Sequence, residues 1–208
     1  MLREDYSTWR CGQHVLSLAR PRVMGILNVT PDSFSDGGQN LDPAAAVERA
    51  LQMLDEGADI IDVGGESTRP GSKPVTPEEE AHRIVPVIRG ILAKAPTAII
   101  SVDTRHAAVA KICVRLGVSI LNDVTGFTDP AMVQVAAESD CGCVVMHWNK
   151  LGGPVTRRMV QLDSERPARV RRPVPTSTRR FTLPEAAPVM REIMGFLGDQ
   201  ARVLMRAG

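Results

Sequence analysis

The stretch MGILNVTPDSFSDGG, residues 24 to 38, predicts both the start of the fold and the place of a binding site. Its first half is apolar, which is typical of a buried strand, whereas the Pro, Asp, Ser and Gly residues of its second half predict a loop. Asn28 stands at the junction, where the end of a strand presents a side chain above the sheet. Polar loops on rigid scaffolds often carry function, so this loop is expected to close over a polar or phosphorylated ligand. A solvated connection is the alternative.

A strand-then-helix alternation continues from this stretch to residue 148. Asp42-Pro43 and Thr76-Pro77 each join a capping residue to proline at the first helical position, and runs with helical spacing follow. This alternation predicts parallel strands joined by crossover helices, and the nearly continuous apolar strands are typical of a sheet covered on both faces. Further strands are predicted at residues 59–63, 98–102, 118–121 and 142–146, and an edge strand near residues 14–18.

The composition excludes several classes of protein. The 208 residues suit one domain, and a formal net charge of +1 indicates no nucleic-acid or other acidic partner. No apolar run reaches membrane-spanning length and the first ten residues lack a signal-peptide core, so we expect a cytoplasmic protein without a membrane partner. A lone C-x-C supports zinc only weakly, so the cysteines are expected to be buried free thiols: Cys11, Cys113, Cys141 and Cys143.

The alternation is interrupted after residue 148. Residues 149–181 are rich in Arg and Pro and show neither helical nor strand periodicity, which predicts a solvated or disordered loop insertion. The segment lacks the interleaved aromatic residues that stack nucleic-acid bases. Helical periodicity returns from Pro184 to Ala207. We therefore interpret residues 1–208 as a single domain that carries a loop insertion at residues 149–181 and stops where a further strand would be expected.

Polar residues recur where the predicted strands end. They occupy five successive strand ends: Asn28, Glu66 to Arg69, Asp103, Asn122 and His147. In a parallel barrel all these ends open on one face, which is where active sites lie. The pattern indicates one site, built for binding and orientation rather than around a protein nucleophile.

These side chains are suited to binding an amino-substituted heterocyclic ring and an anion such as phosphate. The Asp103 carboxylate can accept hydrogen bonds from an amino-substituted heterocycle, the Asn122 amide can fix the same ring, and Met146 can form an apolar wall. Asn28 can offer its carbonyl oxygen to a hard cation such as Mg²⁺, with phosphate oxygens and waters completing the shell. Arg69 can pair with a phosphate or a carboxylate.

Structural roles remain open for several of these residues. Asp103 would serve equally as a helix cap and Asn122 as a turn residue. His82 and His106 are expected on helix surfaces, and His147 either faces the site or packs at its rim.

The motifs together resemble dihydropteroate synthases. MGILNVTPDSFSDGG, DVGGESTRPGS, SVDT, LND and VVMHW stand in the order of that family, and the match covers residues 23–148 and resumes weakly over residues 184–208. The resemblance implies a (β/α)₈ barrel of the α/β class. It also implies condensation of 6-hydroxymethyl-7,8-dihydropterin pyrophosphate with p-aminobenzoate, which gives dihydropteroate and pyrophosphate in folate biosynthesis, and inhibition by sulfonamides.

The resemblance also implies roles for individual residues. Asn28 would help to hold Mg²⁺, the implied cofactor, and the pyrophosphate. Asp103 and Asn122 would bind the pterin and act in catalysis with Arg69. Further substrate contacts would come from Val124 and Met146 at the pterin, Thr68, and the loop residues Phe34, Ser67, Arg69 and Pro70 around p-aminobenzoate.

Motifs that the family carries on later strands have no counterpart here. A DPGxGF motif and later Lys, Arg and His residues are missing, and five to six strand–helix units are predicted where a closed barrel has eight. We therefore expect the chain to bind pterin weakly and to turn over poorly on its own.

Two other functions remain open from the sequence. One is a pterin-dependent methyltransferase barrel, which transfers a methyl group from methyltetrahydrofolate to a corrinoid partner, although the SFSDGG and STRPGS loops argue against it. The other is a non-catalytic fragment that pairs its open sheet edge with another copy, which would give a homodimer.

Overall fold

The computed structural model describes residues 8–30, 42–67, 74–147 and 188–207. A two-stranded antiparallel hairpin, β1 (Thr8–Cys11) and β2 (His14–Ser17), precedes a five-stranded parallel sheet. The sheet strands pair in chain order, as expected for consecutive units of a (β/α)₈ barrel: β3 (Met24–Asn28), β4 (Ile60–Gly64), β5 (Ile100–Asp103), β6 (Ile120–Asp123) and β7 (Gly142–Val145).

Helices follow the sheet strands, and their ends match the signals in the sequence. Asp42, Thr76 and Asp129 each accept a hydrogen bond from a backbone amide of the first turn, and proline begins all three helices. Gly117, with φ of 98°, ends the third helix in the left-handed conformation that glycine adopts readily. The helices are α1 (Pro43–Asp55), α2 (Pro77–Lys94), α3 (Ala107–Leu116), α4 (Pro130–Ala137) and α5 (Pro188–Ala207).

The main core lies between the helices and one face of the sheet. Alternate strand residues point to this face, among them Leu27, Val63 and Val102, and all three are buried. The helices contribute Val47, Ile84 and similar residues to the same cluster. Residues one position away on each strand therefore point to the opposite face, which carries the polar strand ends.

The hairpin packs on this opposite face at the amino-terminal ends of the strands. Its Cys11 and Leu16 form a small buried cluster with Ile60 and Ile120, the first residues of β4 and β6. The Gly12 amide donates to the Asp140 carbonyl oxygen at 2.6 Å. The hairpin thus covers the end of the sheet that lies away from the polar residues.

Asp59 fixes the connection between the hairpin and β3. Its carboxylate accepts hydrogen bonds from the Val23 amide at 2.9 Å, from Arg22 at 2.7 Å and from Arg20 at 2.9 Å. The Val23 backbone bond and the Arg22 side chain hold the pKa of Asp59 below its usual value. The three bonds set where β3 begins.

Several expectations need revision or fall outside the described residues. The sequence predicted one edge strand near residues 14–18, whereas the structure has a hairpin that begins at Thr8. Pro86 lies inside α2, which continues from Pro77 to Lys94 although proline lacks the amide donor for one of its backbone hydrogen bonds. The insertion at residues 149–181 lies outside the described residues. No helix within the described ranges is long and apolar enough to cross a membrane.

Candidate active site

The predicted strand-end residues share one row of the sheet. Asn28 pairs in register with Gly64, Gly64 with Asp103, Asp103 with Asn122, and Asn122 with Val144. Partners in register point to the same face, and neighbouring strands lie about 4.8 Å apart, so Asn28 and Asp103 are separated by about 10 Å along the row. The structure therefore brings Asn28, Asp103 and Asn122 together on the face that the hairpin leaves open.

Asp103 occupies the centre of this row and is half-buried. Burial and, after it, the carboxylate of Asp62 raise its pKa to about 7. Gly64 is its neighbour in the row, and a Cβ atom there would lie 3.4 Å from the Asp103 Cβ atom, in ordinary van der Waals contact. Asp103 does not cap the next helix, since His106 holds the N-cap position of α3. Its carboxylate remains available to a ligand.

Asn122 is held by a neighbour that the sequence analysis did not single out. Its Nδ2 atom donates to Asp62 Oδ2 at 3.1 Å. Asp62 is only 4% exposed, and burial raises its pKa. Asn122 lies inside β6 rather than in a turn, so the turn interpretation is wrong.

Glu66 ties the loop after β4 to the end of β5. Arg105 donates to both of its carboxylate oxygens, from Nε at 2.8 Å and from Nη2 at 2.9 Å. The Val75 amide also donates to Glu66, at 3.2 Å, across the base of the loop. Burial raises the pKa of Glu66, but the hydrogen bonds from Arg105 and Val75 outweigh it and leave the pKa below its usual value. Both ends of this loop are thus fixed beside Asp103.

A buried carboxylate supports the same region from α2. Glu80 is fully buried, and its Oε2 atom accepts from Thr104 Oγ1 at 3.0 Å and lies 2.6 Å from His106 Nδ1. Burial raises the pKa of Glu80. His106 is half-buried, so its predicted place on a helix surface is wrong; His82 is exposed, as predicted.

The loop after β6 is shaped by Asp123. This buried carboxylate accepts from the Thr125 amide and hydroxyl, at 2.8 and 2.7 Å, and from the Phe127 amide at 2.9 Å. Gly126 has φ of 70°, and a Cβ atom there would lie 2.4 Å from the Met146 carbonyl oxygen. The loop therefore lies against the end of β7.

The structure describes some of the remaining predicted site residues, and others lie outside its described ranges. Val124 is buried, Met146 is 42% exposed, and Ser67 is half-buried. His147 lies at the rim, where its ring meets that of Phe196 from α5 edge-on with 5.2 Å between ring centres. Four predicted residues lie outside the described residues: Phe34, Thr68, Arg69 and Pro70.

A magnesium ion fits the chemistry of Asn28 but would need ligands beyond the protein side chains described. The Asn28 side chain is exposed at the strand end, and an amide oxygen is an acceptable Mg²⁺ ligand. Within residues 8–30, 42–67, 74–147 and 188–207, no group of three His, Cys, Asp or Glu side chains could hold a metal. Phosphate oxygens and water would have to complete the shell.

The cysteines do not form part of the site. All four are free, as predicted, although only Cys11 and Cys113 are fully buried. Burial raises the pKa of Cys11 and of Cys113 to about 12, so both remain thiols at neutral pH and are poor nucleophiles.

Asp62 and Glu80 are the supporting residues that sequence reasoning missed. The signal for Asp62 was present, because it is the one charged residue within the apolar run from Ile60 to Val63. Glu80 lies in a row of three glutamates at the start of α2, where acidic residues are expected to be exposed. Its burial depends on Thr104 and His106, which are distant in sequence.

The site and the fold agree with a comparison to known families. The family profile described as "Pterin binding enzyme" matches residues 24–201. The chain therefore belongs to the family of pterin-binding enzymes.

Within this family, the chain is similar to proteins named dihydropteroate synthase. The chain is 50% identical over 134 residues to the dihydropteroate synthase of Mycobacterium leprae, covering 64% of this chain and 46% of that protein. The solved dihydropteroate synthase of Xanthomonas albilineans with 4-aminobenzoic acid is 39% identical with a TM-score of 0.65, over 76% of this chain and 57% of that one.

A further solved structure confirms the fold over nearly the whole chain. The dihydropteroate synthase of Burkholderia cenocepacia complexed with 7,8-dihydropteroate is 31% identical with a TM-score of 0.71, over 97% of this chain and 59% of that one. The predicted barrel class is thereby confirmed, with five of its parallel strands present in the described residues. The chain spans about half the length of the relatives it matches.

Proposed function

We propose that the chain binds the pterin substrate of dihydropteroate synthesis and takes part in that reaction. The reaction joins 6-hydroxymethyl-7,8-dihydropterin pyrophosphate to p-aminobenzoate and yields dihydropteroate and pyrophosphate. The observation that carries the proposal is the shared row of Asn28, Asp103 and Asn122 at the carboxyl ends of parallel strands. Relatives named dihydropteroate synthase, one of them solved with 7,8-dihydropteroate, support it.

The pterin ring would lie over Asp103 and Asn122. An amino-substituted pyrimidinone edge offers N–H donors, which match the Asp103 carboxylate, and the half-exposed Asn122 amide supplies both a donor and an acceptor. Val124 and Met146 would form apolar walls beside the ring. The carboxylates around Asp103 give this part of the site a negative electrostatic potential.

Such a site suits a reaction in which positive charge develops on the substrate. If the carbon–oxygen bond to pyrophosphate breaks early, the pterin methylene becomes cationic, and the fixed carboxylate of Asp103 stabilises it. The amine of p-aminobenzoate then attacks that carbon. Bound Mg²⁺, held in part by Asn28, would neutralise charge on the departing pyrophosphate.

The loop residues would position the second substrate. Glu66 fixes both ends of the loop that carries Ser67, Thr68, Arg69 and Pro70. We assign Ser67, Arg69 and Pro70, with Phe34, to the p-aminobenzoate side of the site, where a sulfonamide would compete with that substrate. Thr68 would contact the pterin substrate. Holding the amine in line with the methylene carbon supplies the orientation that the reaction needs.

An assay of the purified chain tests the proposal. It contains the pterin pyrophosphate, p-aminobenzoate and Mg²⁺, and compares wild type with Asp103→Asn and with Asp55→Asn, an exposed residue at the end of α1. Turnover and pterin binding are expected to fall by at least about 100-fold in Asp103→Asn, because a charged hydrogen-bond acceptor is lost, and to be unchanged in Asp55→Asn.

Binding and turnover are measured separately, because the chain spans about half the length of its relatives. Pterin binding without turnover would support the pterin site and overturn synthesis by this chain alone. A folded wild-type chain that binds no pterin would overturn the whole proposal.

A further inference from the structure

We propose that Asp62 is a positioning residue, which acts through Asn122 by fixing the direction in which the Asn122 amide faces the ligand. The proposal rests on the pterin site proposed above. It adds a residue that does not need to touch the substrate itself.

The first step is the hydrogen bond between the two side chains. Asn122 Nδ2 donates to Asp62 Oδ2 at 3.1 Å. An ionised carboxylate has only acceptors, so the nitrogen branch of the amide must face Asp62. The oxygen branch of Asn122 then faces away from Asp62 and can accept a hydrogen bond from a ligand donor. Asp62 therefore decides which hydrogen-bonding pattern Asn122 presents.

The second step is the position of Asp62 below the site row. Asp62 pairs in register with Ser101, one row toward the amino-terminal ends of the strands from Gly64 and Asp103. Both rows point to the same face, because side chains two residues apart on a strand do so. Asp62 thus supports Asn122 from within the sheet.

The third step is that Asp62 is not arranged for stability. Asp62 is only 4% exposed, its hydrogen-bond partners Ser101 and Asn122 are neutral, and it forms no ion pair within the described part of the chain. A buried carboxylate without a cationic partner costs free energy. An apolar Leu at this position would avoid that cost, so an acceptor here is better explained by the orientation it imposes on Asn122.

A double-mutant cycle on ligand binding tests the proposal. The probe is 7,8-dihydropteroate, measured by calorimetry against the full chain. Asp62→Ala and Asn122→Ala are each expected to weaken binding by about 10- to 100-fold, the range for a lost ligand hydrogen bond. The double variant is expected to be no weaker than Asn122→Ala alone. Additive losses would overturn the proposal, because Asp62 would then act independently of Asn122.

Two further variants separate orientation from charge and from packing. Asp62→Asn keeps an oxygen that can accept from Asn122 Nδ2, so binding is expected to remain within about threefold of wild type. Ile61→Val is the matched control, since it alters the adjacent buried position of β4 on the opposite face of the sheet, away from the Asn122 bond. A loss in Asp62→Asn as large as in Asp62→Ala would show that charge matters, and would overturn the proposal.

A measurement without ligand keeps this inference separate from the proposed function. The side-chain amide signals of Asn122 in a ¹⁵N-labelled chain are expected to shift in Asp62→Ala and to stay in place in Ile61→Val. Asp62→Leu, which also lacks an acceptor, replaces Asp62→Ala if the smaller variant does not fold. Unchanged Asn122 signals would overturn the positioning role. Shifted signals in a chain that binds no pterin would overturn only the proposed function.

Discussion

Individual residues in the site work against the stability of the fold. Asp103 has a pKa of about 7 because it is buried and faces other carboxylates, first among them Asp62. The ionised form that would bind a ligand is therefore the form that the folded chain tolerates least. Such conflicts are common where a site must bind rather than merely pack.

Replacing Asp103 by Asn is expected to stabilise the chain at high pH while removing ligand binding. The folded pKa of about 7 lies above the unfolded value near 3.8, so the folded chain retains the proton between them. Stability contributed by this group therefore falls as pH rises from about 4 to about 7. The advantage of Asp103→Asn should grow across that range, to on the order of 1–3 kcal/mol at about pH 8.

Urea unfolding of both proteins at a series of pH values measures this difference. A difference that stays constant with pH would contradict the raised pKa of Asp103.

Asp59 should show the opposite pH dependence. Its pKa lies below the usual value because of the Val23 amide and Arg22, so the ionised form stabilises the fold. Asp59→Asn is expected to melt at a lower temperature than wild type at about pH 7. The difference in melting temperature should disappear as pH falls through the folded pKa of Asp59, because protonated wild type loses the same interaction.

Thermal melting followed by circular dichroism provides the measurement, with Asp55→Asn as the exposed control. A gap that persists at about pH 2 would argue against the ionic role of Asp59.

The sequence predicted candidate site residues correctly on one face where a polar side chain stood at the end of a predicted strand. Asn28, Asp103 and Asn122 were predicted on one face, and the register confirms it. The sequence did not single out Asp62 and Glu80, because their roles depend on partners far along the chain, Asn122 and His106 respectively. Pairing of this kind has no local signature.

Among the helices, the close approach of α1 and α2 depends on Gly90. A Cβ atom at Gly90 would lie 2.6 Å from Val47 Cγ2, and the stiff, buried Val47 side chain has little freedom to move aside. Glycine inside a helix normally weakens it. Here the glycine allows the two helices to approach, which outweighs its poor helix propensity.

Gly90→Ala is therefore expected to destabilise the chain by about 1–3 kcal/mol, the cost typical of overpacking. Gly195→Ala in α5 is the matched control, because nothing lies within 4 Å of a Cβ atom there. This control should gain about 0.5–1 kcal/mol from better helix propensity. Denaturant unfolding of both variants measures the contrast, and equal effects of the two changes would refute the packing argument.

Elements with strong local signals were predicted, and those without them were not. The caps and the Gly117 stop located the helices to within a few residues. The sequence predicted the second strand of the hairpin and not the first. Each strand has only four residues, and only Cys11 and Leu16 are buried. So short and so little buried a strand has too little periodicity to stand out.

In the molecule as a whole, the two ends of the sheet serve different purposes. The carboxyl ends carry Asn28, Asp103 and Asn122, whereas the amino ends are covered by the hairpin. Gly142 lies at the covered end, where a Cβ atom would come within 2.8 Å of both Cys11 Sγ and Trp9. Stability and binding should therefore respond to different substitutions.

Gly142→Ala is expected to lower the free energy of unfolding by about 1–3 kcal/mol through this overpacking. The affinity of the folded protein for 7,8-dihydropteroate should remain unchanged, because the change lies at the opposite end of the sheet from Asp103. Urea unfolding measures the loss of stability, and calorimetric binding below the melting temperature measures the affinity. A large loss of affinity in the folded variant would show that the two ends are coupled.

The bond between Gly12 and Asp140 also has a consequence for the order of events during synthesis. The hairpin is translated before its covering surface near β6 and β7, which follows more than a hundred residues later. At about 5–20 residues per second the wait is on the order of ten seconds. During that interval Cys11, Leu16 and Trp9 have no native surface to cover them. We therefore expect the hairpin to dock fully only after β7 has been translated.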